Sequence, residues 1–427
     1  MRLGYASAVF QAIPMTHPAD QPRAPEQDWR ILVAVFWVTS LVEGMGVSQM
    51  YALLPAYLTQ MGVPLDDRLA FVGLFSALIF VVGLPLVPLW GVWADKYSRK
   101  AVIVRSCLVE AAVFAGVALS REPWQLALSM LLIGFQLGNT GVMLAGIRDV
   151  TPLKRLGVTI AAFGASGPVG FALGPAFAGF LIDGLRWAIP WVFWLSAALS
   201  IGTALLVTFG SKEVRPAVVP TGGLLELAFG AMRAVLADPA VRRVFLIFGV
   251  AFLGTQMSRP YIPVLVEALV GSGSGLASSI GLVVGTSALV GALVAPVGGL
   301  LGDRIGFRTV LIAALAGAGV VLLLMPLAPS IAAMAVLAVV LGASTATVSA
   351  MVFGVLALEV PAERRSATLN LVYLPLYAAG IVGPAAGAVV ARTGGVSALF
   401  VVAGGIFLAG AAGIALMARP KPSPVTT

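Results

Sequence analysis

The apolar residues of this chain arrive in runs of about 20 parted by short polar breaks, and that arrangement constrains the fold more than any motif. A helix rising about 1.5 Å per residue needs a run of that length to cross a hydrocarbon layer of about 30 Å. The runs read as spans at Arg30–Leu54, Leu69–Trp90, Ala101–Leu119, Trp124–Ile147, Leu156–Ile182 and Ala188–Phe209. Six more follow at Val244–Leu269, Ala277–Leu301, Thr309–Leu327, Ile331–Leu358, Ala367–Ala391 and Val396–Met417. The expectation is an all-α membrane protein of twelve transmembrane helices in two six-helix bundles. Composition agrees, because 59% hydrophobic and 10% charged residues leave too few charges for a water-facing surface, where soluble domains carry about 25%.

The basic residues orient the spans. Of 26 Lys and Arg residues, Arg105 and Arg259 fall inside spans; with both termini on one side, 20 of the others share that side, and only Arg68, Arg121, Arg186 and Arg392 lie opposite. Positive residues collect on the cytoplasmic side, so both termini are expected there. The net charge of +8 therefore reads as a topology signal, and no basic stripe with interleaved aromatics suggests a nucleic acid. The chain divides into a tail (1–28), a first bundle (29–209), a polar linker (210–243), a second bundle (244–417) and a tail (418–427). Within the linker, Leu224–Leu236 reads as a short amphipathic surface helix. Residues 1–28 lack the layout of a signal peptide and read as a cytoplasmic tail. The single cysteine, Cys107, lies in an apolar run and the single histidine, His17, in the tail, so neither a disulfide nor a metal site is expected.

The halves repeat. The loop Gly91-Val-Trp-Ala-Asp95-Lys96-Tyr-Ser98-Arg99-Lys100 returns as Gly299-Leu-Leu-Gly-Asp303-Arg304-Ile-Gly306-Phe307-Arg308, 208 residues on. Asp149 to Arg155 returns as Glu359 to Arg365 at an offset of 210, and Gly174-Pro175 as Gly383-Pro384 at 209. Parallel repeats of this kind build transporters whose substrate path runs between the halves near the midplane.

With those residues in view, the chain from Arg30 to Met417 resembles the major facilitator superfamily. Gly91, Asp95, Lys96, Arg99 and Lys100 match its loop signature G-x-x-x-D-R/K-x-G-R-R/K, with Ser98 at a glycine position. The second copy keeps Asp303, Arg304 and Arg308 but has Phe307 for an arginine. Gly91 would let helices approach, and the ionic cluster, joined by Asp149 at the inner end of the fourth helix, would latch the cytoplasmic ends together in the outward-facing state. The same charges would also serve simply to set topology. The fifth span, with Gly170, Gly174, Pro175 and Gly179, resembles the G-x-x-x-G-P-x-x-G-G stretch of exporters running as antiporters, Ala178 replacing one glycine. Ordinary small-residue packing gives a similar pattern. Drug–proton antiporters of the family usually carry an arginine in the fourth helix, where this chain has Phe135.

Ionisable groups at mid-membrane cost at least about 2.5–3.5 kcal/mol, so each is a candidate site. Glu43 is about 13 residues into the first span, roughly 20 Å deep, and Arg259 lies at similar depth in the seventh. In the family those helices line the central cavity from opposite halves. Glu43 is expected to bind the coupled proton, with Arg259 tuning it or holding an anionic part of the substrate; a structural salt bridge between the halves is the alternative. Glu110 and Arg105, five residues apart on the third span, read as structural, and Glu267 as reaching headgroups or water. Cavity polarity otherwise rests on Gln49, Tyr51, Gln136, Asn139, Gln256, Tyr261, Asn370, Tyr373 and Tyr377, a set that suits a lipophilic or amphipathic solute better than a sugar.

With no G-x-x-x-x-G-K-S/T loop and no cluster for acid–base chemistry, an ATPase or enzyme is not expected. The resemblance implies a monomeric secondary transporter of a bacterial-type cytoplasmic membrane, without cofactor, exporting small lipophilic compounds in exchange for protons. A lipid flippase or uncoupled facilitator of the same fold remains open, as does a non-transporting membrane sensor or scaffold.

Overall fold

The computed structural model describes residues 28–216, 219–237, 239–359 and 374–416. Asn370, Tyr373, His17 and the tails 1–27 and 417–427 lie outside them. Among the described residues, ten helices are long and apolar enough to cross a membrane. One of these, Leu374–Leu416, is two spans meeting at Gly395, whose φ of 80° and ψ of 172° interrupt the helix. The seventh span is split into Pro239–Ser258 and Ile262–Val270 by a 3-10 turn at Arg259–Tyr261, and completes twelve. Large apolar side chains such as Phe209, Leu246, Leu293 and Val336 stand exposed on the perimeter, an arrangement that is stable in lipid and not in water.

Several spans depart from the sequence expectation at their ends or middles. The first runs over Trp29–Gln60, past Pro55, whose missing N–H leaves the helix one backbone hydrogen bond short. The seventh starts at Pro239 rather than Val244, proline being well suited to a first helical turn. The second span, Leu65–Lys96, breaks at Val82, and the fourth, Pro123–Val150, breaks through the 3-10 turn Ile133–Phe135 and Gly138, whose φ is 100°. The breaks pack against each other: a Cβ on Gly134 would sit 2.7 Å from Gly83 N. The surface helix is present at Leu224–Ala237.

The internal repeat has a structural counterpart. On the third span, Arg99–Leu119, Lys100 Nζ donates to Thr208 O and Ser211 O at 2.6 and 2.7 Å, closing the end of the sixth span, Ile189–Gly210. Arg308 Nη2, opening the ninth span with Phe307–Leu324, donates to Ile414 O and Ala415 O at 2.7 and 3.1 Å at the end of the twelfth. Each base thus satisfies orphan carbonyls at the negative end of its half's last helix.

The halves join at the face opposite the basic loops. Arg68 Nη1 pairs with Glu267 Oε1 at 2.9 Å, both largely buried, and Arg68 also bonds Thr59. Asp183, ending the fifth span (Leu153–Gly184), accepts from Gly275 N and Ser278 N at 3.0 and 2.7 Å. It thereby caps the eighth span, Leu276–Ile305. Tyr261 Oη donates to Leu69 O at 2.8 Å. Hydrogen bonds from one half to the other gather in this seal. Arg68→Gln is expected to shift the equilibrium between closed and open forms of this face toward open by about 5- to 150-fold, the span of about 1–3 kcal/mol. Distances between spin labels on the loops before Leu65 and after Val270 check it; an unchanged distribution would show the pair to be dispensable.

Candidate functional site

On the basic side of the seal lies a cavity of about 620 Å³ between the halves. Its wall runs from Tyr51, Phe80 and Gln256 near mid-span to Ser40, Leu144 and Ile160 toward the basic end. The lining is mainly apolar, and Glu43 and Arg259 are its only charged members among the described residues.

Glu43 faces the cavity from the first span. Its neighbour Gly44 brings that span against the fifth so closely that a Cβ would lie 2.6 Å from Gly167 O. The broken fourth span supplies the partners of the carboxyl: Gln136 Nε2 donates to Oε1 and Asn139 Nδ2 donates to Oε2 at 2.9 Å. Both amides are buried, and their own oxygens have no hydrogen-bond partner among the described residues. The carboxyl therefore faces the cavity with one amide donor on each oxygen.

Arg259 reaches the cavity from the 3-10 turn that splits the seventh span. Its guanidinium stands 5.7 Å from the centre of the Phe171 ring. No ion pair joins it to Glu43 among the described residues, so the two groups line one cavity without forming a salt bridge between the halves.

Of the polar residues expected on the wall, Tyr51, Gln136 and Gln256 are there, while Asn139 sits behind Glu43. Gln49 is not. It is buried, donating to Gly174 O at 3.2 Å and accepting from Ser196 Oγ at 2.7 Å, and so ties the first span to the fifth and sixth. Six residues on a helix turn about 600°, which sets Gln49 roughly 120° around from Glu43. Tyr261 is likewise not on the wall: it is fully buried in the seal, with its hydroxyl on Leu69 O. Tyr377 packs on Phe80 with ring centroids 5.7 Å apart. Phe171, which holds Arg259, is not distinguishable in the sequence from any other apolar residue.

Arg105 and Glu110 do not pair. Arg105 lies 3.6 Å over the Trp90 ring and donates to Ser106 Oγ at 2.7 Å, and Glu110 accepts from Ser200 Oγ at 3.2 Å. Glu267 is engaged in the seal rather than free toward headgroups.

The ionic loop is built around Arg99, which is buried and contacts Asp95 Oδ1 at 2.8 Å and Asp149 Oδ2 at 2.6 Å. Glu213 accepts from Arg99 N at 2.9 Å, and Lys96 Nζ donates to Gly222 O at 2.6 Å. This cluster closes within the first half and the linker, and among the described residues it does not tie one half to the other. Gly91 has open space where a Cβ would stand, so no close helix approach depends on it. In the second copy Asp303 and Arg304 are exposed without an ion pair among the described residues. Phe307, which has no guanidinium to gather them, packs beneath Gly302 instead. Arg99→Ala is expected to cost about 1–3 kcal/mol, because the carboxylates it leaves, 41% and 25% exposed, regain water; the loss is read as a fall in melting temperature, and Arg99→Lys, lacking the fork, should recover part of it.

In the fifth span, Gly170 and Gly174 meet the backbone of the first span, while Gly179 meets Ser278 of the eighth. The stretch thus packs against both halves.

Twelve spans, a repeat of six and six, and a cavity between the halves define a secondary transporter rather than an enzyme. The Major Facilitator Superfamily model matches residues 36–279 and 244–427, and the chain belongs to that family. It is similar to "Multidrug resistance protein MdtG" of Klebsiella pneumoniae (strain 342), 26% identical over 385 residues, which cover 89% of this chain and 92% of that protein. To the protein of that name from Salmonella typhi it is 28% identical over 312 residues, 73% of this chain and 74% of that one. Among solved folds, a point mutant of the nucleoside transporter NupG superposes with a TM-score of 0.75 at 14% identity, covering 91% of this chain and 100% of that one. The human organic anion transporter MFSD10 (TETRAN) superposes at 0.66 and 19% identity, with 91% and 100% coverage.

Proposed function

We propose that this chain exports small lipophilic or amphipathic compounds from a bacterial cytoplasm by alternating access, in exchange for protons. The observation that carries the reading is Glu43: one carboxyl on the wall of a mainly apolar cavity, held by Gln136 and Asn139. Similarity to proteins named for multidrug resistance supports export, as do Gly170, Gly174, Pro175 and Gly179 on the fifth span. In this reading the basic face with both termini is cytoplasmic, the cavity opens inward, and the seal at Arg68–Glu267 and Asp183 closes the outside.

Dye efflux from cells carrying the transporter, with and without an uncoupler, tests it. Efflux that collapses with the proton gradient is expected. Efflux indifferent to the uncoupler would instead support an uncoupled facilitator, the reading favoured by Phe135 standing where an arginine is usual.

A further inference from the structure

The two charged groups of the cavity are provided for unequally. Glu43 has an amide on each oxygen. Arg259 carries five N–H donors, and no hydrogen bond to a described residue uses any of them; its contact is with the face of the Phe171 ring. A cation in mainly apolar surroundings is costly until an anion meets it, and the planar fork of a guanidinium fits a carboxylate or sulfonate through two parallel hydrogen bonds. The Phe171 ring, 5.7 Å away, gives the guanidinium an attractive face without using any of its N–H donors.

We propose that Arg259 is an anion-binding subsite and that the transported compounds include amphipathic acids, with a carboxylate or sulfonate head on Arg259 and an apolar body along Val47, Ile133 and Phe163. The proposal rests on the exporter reading for what happens after binding, but the subsite itself needs no gradient. Because Glu43 is satisfied by its own amides and makes no ion pair with Arg259, the head group does not have to displace a salt bridge to bind.

Three dansyl probes that differ at the head test this on the full chain purified in detergent: dansylglycine (carboxylate), dansylglycinamide (carboxamide) and dansylcadaverine (ammonium), each titrated by fluorescence. Dansylglycine is expected to bind about 10- to 100-fold more tightly than dansylglycinamide, the gain of a hydrogen-bonded charge. Arg259→Gln should erase that preference while leaving dansylglycinamide affinity in place, which also reports that the variant is folded; Arg259→Lys should retain part of it. Equal affinities in the unaltered protein, a preference for dansylcadaverine, a preference that survives Arg259→Gln, or no binding of any probe would overturn the subsite. If Arg259→Gln does not fold, the ranking in the unaltered protein and in Arg259→Lys decides. Arg259-dependent binding of dansylglycine alongside efflux that ignores the proton gradient would sink proton exchange and leave the subsite standing. Gradient-driven efflux of dansylcadaverine, with dansylglycine refused, would do the reverse.

Discussion

Glu43→Gln is expected to bring proton-driven efflux down to the background of membranes without the transporter while substrate binding survives. Glutamine keeps the shape of the side chain but exchanges no proton. The site can absorb the change, because Gln136 and Asn139 have oxygens without hydrogen-bond partners among the described residues, and either amide can turn to accept from the new one. A fold defect is therefore not the expected cause of any loss. One proton moving down about 100 mV and one pH unit releases about 3.7 kcal/mol, enough to hold an uncharged substrate at a ratio of roughly 500-fold. An anion leaving a negative interior gains about 2.3 kcal/mol more per 100 mV. Everted vesicles with an imposed pH gradient read the uncharged case, and undiminished coupling in Glu43→Gln would remove the carboxyl from the mechanism.

Gly170→Val and Gly174→Val should each destabilise the first bundle severely. A Cβ on Gly170 would run into Leu41 O and one on Gly174 into Met45 O and Ser48 Oγ, all nearer than 3.0 Å. The opposing atoms are largely backbone of the first span, which cannot rotate aside as a side chain can. Overpacking ordinarily costs about 1–3 kcal/mol; with two helix backbones forced apart the upper end is expected, and valine adds two methyls to the clash. Thermal unfolding in detergent measures it, and Gly174→Ala should already show part of the loss. Gly91→Ala and Gly202→Ala are the controls, since at both positions an added methyl would meet nothing within 4 Å, and both should stay within about 0.5 kcal/mol. A Gly91→Ala loss equal to that of Gly174→Val would contradict the packing described for the loop signature.

The spans are legible in the sequence because lipid imposes a length and a composition that few other environments demand. Their interruptions are not. Gly83, Gly134 and Gly138 mark the paired breaks in the second and fourth spans, but among 49 glycines nothing singles them out until the two backbones are seen in contact. Glu43 is legible because charge at that depth is rare. Its partners are harder: Arg259 is the obvious opposite charge, yet the oxygens are taken by Gln136 and Asn139, which sequence order separates from Glu43 by more than 90 residues. Polarity alone places Gln49 and Tyr261 in the cavity, whereas the helical angle between Glu43 and Gln49 already carries the second away from it. The ionic loop has the expected composition and a different reach, since which carbonyls Lys96 and Lys100 find depends on where the linker runs.

That linker is fastened more heavily than its polarity suggests. Lys100 fixes Thr208 and Ser211, Glu213 is bonded to the start of the third span, and Lys96 fixes Gly222. The chain up to Gly222 therefore travels with the first half. The surface helix Leu224–Ala237 continues that attachment, because it packs along the inner half of the second span, Gly83–Lys96, with Ala228 buried. The linker is thus a splint on the first half rather than a slack cord between the two, and relative motion of the halves falls on the junction where the surface helix gives way to the seventh span.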